Sequence, residues 1–166
     1  SVQVMTNVRF DFNFTVRYGL IVAFLVGVLV RLIPELLAFP HPIGFDEVYY
    51  ATVIRDGVIW SSWGSFFSST WLFSALTVPI HSLTQVEPFL LLNIVAPLLY
   101  GLNVAGVYWV ARRMLNWSSK TSLFAACFFA VQLASLRISW DLLRNTLGMG
   151  LLLFTLPLIS KTKSKW

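Results

Sequence analysis

The sequence predicts an all-α fold, a polytopic membrane bundle of about four transmembrane helices with interfacial helices in a large first outer loop. Three observations predict it. Hydrophobic residues make up 57% of the 166 positions and charged residues 11%, and mean hydropathy is +0.75, far too apolar for an ordinary soluble domain. The apolar residues gather into runs of about 17 to 22, the length of a helix that crosses a bilayer. The basic residues fall between those runs rather than in one patch, so the formal charge of +5 reports topology and not a nucleic-acid partner.

Residues 1–17 carry Arg9 and Arg17 with little apolar continuity and read as a cytoplasmic juxtamembrane segment. The chain opens at Ser1 and ends in a Lys-rich tail, the pattern of a processed or truncated product. The first span, 18–39, lacks a small-residue cleavage site and so reads as a helix rather than a signal peptide. Arg31 and Glu35 interrupt it on one helical face, where they can pair or line a polar cavity. The outer loop, 40–87, holds interfacial helices over about 46–57 and 70–84. Its segment 66–83 is rich in Ser and Thr, contains Pro79 and His81, and places Leu72, Leu76, Ile80 and Leu83 on one stripe. Such a helix suits the membrane surface better than the interior. Three stronger spans follow at 89–110, 122–138 and 142–159, the whole module running over 18–160. The basic tail, 161–166, is cytoplasmic.

The loops decide between four spans and five. If 66–83 does not cross, Arg9, Arg17, Arg112, Arg113, Lys120, Lys161, Lys163 and Lys165 share one side, eight of the twelve basic residues, as cytoplasmic loops require. The 40–87 loop and the turn around 138–141 then share the opposite, extracytoplasmic face, and Asp46 can meet Asp141. Five spans would separate them by the thickness of the bilayer.

The chemistry concentrates on that face. Asp46 and Glu47 lie in His41-Pro-Ile-Gly-Phe-Asp-Glu-Val-Tyr-Tyr50 just past an apolar run, where carboxylates near lipid point to function. The structural alternative is that they cap and charge a short helix. Arg55, Arg137 and Arg144 lie among these acids, and guanidinium matches phosphate oxygens in a bidentate fork. Pairing of Arg137 or Arg144 with Asp141 is the alternative there. Tyr49, Tyr50, Trp60 and Trp63 could stack on sugar or serve as interfacial anchors. His41 and His81 have no partner at metal-ligand spacing. Cys127 lies inside an apolar run. Gly101, Gly106, Gly148 and Gly150 read as points of close helix packing. Two acceptor patterns, Asn13-Phe-Thr15 and Asn116-Trp-Ser118, fall on the cytoplasmic side and are discounted.

Arg31, Pro40 and Gly-Phe-Asp46-Glu47-Val-Tyr-Tyr, then Arg112-Arg113-Met-Leu-Asn, then Ser135-Leu-Arg137-Ile-Ser-Trp-Asp141 together resemble the GT-C superfamily of membrane glycosyltransferases. The likeness is nearest to the protein O-mannosyltransferase and aminoarabinose-transferase type, and it covers residues 31 to 145, the front of the family's larger module. The resemblance implies transfer of a sugar from a polyprenyl-phosphate donor to a protein, lipid or glycan acceptor at the extracytoplasmic face of a plasma membrane or endomembrane. It implies Asp46 as general base, Glu47 supporting it or binding acceptor, Asp141 orienting the acceptor, and Arg137 or Arg144 neutralising the leaving phosphate, with Arg55 and Tyr50 also at the substrate. The pattern fixes no cofactor. A divalent metal, Mg or Mn, would fall to Asp46 and Asp141, although Asp-Glu stands where the oligosaccharyltransferase branch has Asp-X-Asp. Membrane lipids, and further membrane segments or subunits completing the module, are the other expected partners. Two readings from other classes stand beside this one: a non-catalytic membrane subunit that binds a lipid-linked phosphate or a partner protein, and a transporter fragment built on Arg31 and Glu35.

Overall fold

The computed structural model describes residues 14–39, 41, 43–59, 63 and 71–162. The expectations for 1–13, Pro40, Trp60, the first part of segment 66–83 and the end of the basic tail lie outside the described residues. Seven α-helices and no strands form among the described residues: α1 (Phe14–Ala38), α2 (Glu47–Arg55), α3 (Trp71–Thr84), α4 (Pro88–Arg113), α5 (Ser119–Val131), α6 (Leu133–Asp141) and α7 (Leu143–Thr162).

Helix α4 is the hub and packs against every other described helix. Its start is written in the sequence. The Glu87 carboxylate accepts from the Leu90 N–H at 3.0 Å, and Pro88 occupies the first turn, where its missing N–H costs nothing. Arg112 and Arg113 close its last turn, favourably placed at the negative end of the helix dipole.

Helix α1 runs antiparallel to α4 and buries a stripe of every fourth residue: Gly19, Ala23, Gly27, Arg31 and Glu35. The three small residues let the backbones approach, since a Cβ on Gly27 would stand 2.8 Å from the Gly101 Cα. This is small-residue packing as membrane helices use it. The other faces of α1 present Leu25, Leu29, Ile33 and Leu36 outward, the surface expected against lipid. Gly106 likewise faces Leu153 on α7. Gly148, expected at a packing point, has open space around it.

The spans at 18–39 and 89–110 correspond to helices long and apolar enough to cross a membrane, Val16–Ala38 and Pro88–Arg113. The expected continuous span over 122–138 does not form. It breaks at Gln132 into α5 and α6, bent by 59°, so two helices qualify as spans, or three if the bent pair counts as one. A broken helix leaves carbonyls that lipid cannot satisfy. Here the Tyr100 hydroxyl of α4 donates to the Ala130 carbonyl at 2.9 Å, and the Ser135 hydroxyl lies 2.7 Å from the Phe129 carbonyl. The apolar part of α7, Leu143–Ile159, is shorter than a full span, about 26 Å long against a hydrocarbon core of about 30 Å. These two to three helices are consistent with an integral membrane protein.

Helices α2 and α3 fall close to the expected 46–57 and 70–84. Neither is among the candidate spans. Because α1 and α4 are antiparallel while α4 and α7 run parallel, with Gly106 at Leu153 and Asn103 at Gly150, α2, α3 and α6 gather at one end of the bundle.

Candidate functional site

At that end, the turn entering α2 meets α6. The Phe45 N–H donates to Asp141 Oδ1 at 2.9 Å across 96 positions of chain. Asp141 also holds Arg137 at 3.0 Å, one helical turn earlier. The approach is close, since a Cβ on Gly44 would meet the Trp140 carbonyl. Between the two segments lies a cleft of about 850 Å³, lined by Asp46, Tyr49, Thr52, Arg137 and Asp141 together with apolar neighbours.

Asp46 occupies the N-cap position of α2, yet its side chain makes no capping hydrogen bond. The residue is half-buried and lines the cleft instead. The next residue does the opposite. Glu47 is fully buried and lies 3.8 Å from Arg31 Nη2, while the same guanidinium contacts Glu35 at 2.5 Å through Nη1. Arg31 Nη2 also donates to the Ser139 carbonyl of α6 at 3.4 Å. Three buried ionisable groups thus lie beneath the cleft, two carboxyls and one guanidinium.

Burial, chiefly, and the neighbouring Glu35 charge raise the Glu47 carboxyl from its ordinary 4.5 to about 7, against the pull of Arg31 and the backbone of Gly44 and Ile43. The folded protein therefore holds a proton that the unfolded chain releases between those values. Stability is fullest below about 4.5 and declines as pH rises to about 7. A higher thermal midpoint in micelles at pH about 5 than at about 8 is expected, with that part of the slope flattened in Glu47→Gln. A wild-type midpoint that climbs over this interval would reject the assignment.

The remaining expected site residues divide. Arg144 lies 5.9 Å and 5.5 Å from the ring centres of Tyr49 and Tyr50. It does not reach Asp141, and it lines a second groove of about 670 Å³ with Leu72, Phe73 and Leu147. Tyr50 is not at the cleft. It is 3% exposed and packs on Phe73 at 5.1 Å, because the α2 face that it shares with Ile54 is the one turned to the core. Arg55 is not there either. It sits at the far end of α2 beside Glu87 at 3.8 Å, both exposed, a pair of little energetic weight. Glu47 cannot touch an acceptor in the cleft, since no part of it is exposed. His81 has a structural contact, with Nδ1 2.7 Å from the Val86 carbonyl.

Among the described residues no three His, Cys, Asp or Glu side chains gather as a metal site. Asp46 and Asp141 share the cleft, but Asp141 is already neutralised by Arg137. This donor set does not fit a divalent ion. Sequence reasoning missed the link of Glu47 to Arg31 and the part of Ser139. The four-residue stripe that leads down α1 to Arg31 was the available signal.

No protein-family model, curated protein or solved structure matches the chain.

Proposed function

We propose that the chain is part of a membrane glycosyltransferase of GT-C type that moves a sugar from a polyprenyl-phosphate donor to an acceptor hydroxyl at the extracytoplasmic face. One observation carries the reading: Asp46, engaged in neither cap nor ion pair among the described residues, lines the same cleft as Arg137 and Asp141 from a distant segment. In this reading the four-span layout places the cleft at the outer membrane surface. Asp46 takes the proton of the acceptor hydroxyl as its oxygen bonds the anomeric carbon. The carbon–phosphate-oxygen bond breaks and the phosphate leaves with the electron pair. Arg137 or Arg144 stabilises that leaving charge, and Asp141 orients the acceptor while fixing Phe45.

Asp46→Asn in the full chain, assayed in membranes against a panel of polyprenyl-phosphate sugars, is expected to lower transfer by about 10²- to 10⁴-fold with the thermal midpoint unchanged. Transfer at the wild-type rate would end the proposal. A second reading, a non-catalytic subunit that binds a lipid-linked phosphate, is favoured by Arg144, which faces no carboxylate among the described residues and lines an apolar groove. In that case Arg144→Gln weakens lipid binding while Asp46→Asn changes nothing.

A further inference from the structure

We propose that Arg31, buried within the first span, is the positioning residue for the cleft: its one guanidinium holds both walls and so sets the direction in which Asp46 faces. The proposal rests on the reading of Asp46 given above for its kinetic part only.

The geometry is specific. Arg31 lies seven residues before the end of α1 at Ala38, about 10 Å below that end. Its side chain is fully buried and touches three elements: Glu35 on α1, Glu47 on α2 and the Ser139 carbonyl on α6. Each distant contact adjoins a cleft residue. Glu47 follows Asp46, and consecutive helical positions differ by about 100° around the axis. Drawing Glu47 inward therefore turns Asp46 toward the cleft. Ser139 sits midway between Arg137 and Asp141, so holding its carbonyl fixes the turn of α6 that carries both. The Phe45 N–H bond to Asp141 then bridges walls already set from below.

A simple structural ion pair would not require this arrangement. Arg31 and Glu35, one turn apart on α1, already balance each other in charge. The second carboxyl, Glu47, is buried with no cation of its own among the described residues, a costly addition unless the contact itself has a use. Lysine could not replace the arrangement, because a compact ammonium on a flexible stem does not reach three separated groups as a planar fork does.

The test is Arg31→Lys in the full chain in micelles, which keeps the charge. Amide exchange is read by mass spectrometry in peptides covering residues 43–47 and, as the internal standard, in the α4 core around Val104. Exchange in 43–47 is expected to quicken about tenfold with the α4 core unchanged. In the transfer assay kcat is expected to fall about tenfold with KM for the donor little altered, because misplacement of a reacting group costs rate rather than binding. Glu47→Gln, which keeps the shape and removes only the α2 arm, is expected to quicken the same peptides about threefold and supports the proposal even if Arg31→Lys fails to fold. Unchanged exchange in 43–47, or a rise shared equally by the α4 core, would overturn it. A local rise in a protein with no sugar transfer would leave the positioning role standing and sink the glycosyltransferase reading. A transfer loss in Asp46→Asn with 43–47 indifferent to Arg31→Lys and Glu47→Gln would do the reverse.

Discussion

Arg31→Met is expected to lower the thermal midpoint in micelles on the order of 10 °C, the shift that corresponds to about 3–5 kcal/mol for a chain of this size. The side chain removed is fully buried, and so are the two carboxylates it leaves behind, with Glu35 at 3% exposure and Glu47 at none. Without the guanidinium, Glu35 and Glu47 are like charges in an apolar interior, and each must take up a proton or draw water inward. The triple variant Arg31→Met, Glu35→Met, Glu47→Met tests the cause. A buried ion cluster replaced whole by apolar side chains is often neutral or stabilising, so its midpoint is expected near or above the wild type. If the triple variant is as unstable as the single one, the loss comes from packing and not from stranded charge.

Gly101→Val is expected to destabilise by about 3 kcal/mol, at the upper end of overpacking costs, because the obstacle is backbone. A Cβ there would lie 2.8 Å from the Phe24 carbonyl oxygen and 2.6 Å from a Val28 methyl. Helices α1 and α4 form the most extensive pair among the described helices, and they cannot give way locally without carrying Arg31 away from Glu47. Gly148→Val is the control. Its Cβ meets nothing within 4 Å, and its midpoint is expected to stay at or above the wild type, since valine is the better helix former. Equal tolerance of the two substitutions in the same micelles would contradict the close approach of α1 and α4.

How far the sequence could be read depends on whether a signal was local. The start of α4 was legible because Glu87 and Pro88 act within one turn, and Ser118 marks the start of α5 by accepting from the Thr121 N–H. The Arg31–Glu35 contact was legible from its one-turn spacing. The break at Gln132 was not, because no proline or glycine marks it and the apolar run continues through it. Its broken backbone is satisfied by Tyr100, 30 positions away. The division between Asp46 and Glu47 was equally hidden. One step around α2 decides which acid faces the cleft, and only the place of Arg31 in space settles that step. The resemblance implies Tyr50 and Arg55 at the substrate, whereas α2 turns one into the core and carries the other to its far end.

The break at Gln132 leaves α5 with 13 residues, about 20 Å of helix where the hydrocarbon layer is about 30 Å deep. A span so short is met by thinning of the bilayer or snorkelling of flanking side chains, unless α6 completes it as the second half of a bent span. The apolar wall is thus of unequal height, full length at α1 and short at α5, and the short side adjoins the turn into α6 that carries Arg137 and Asp141.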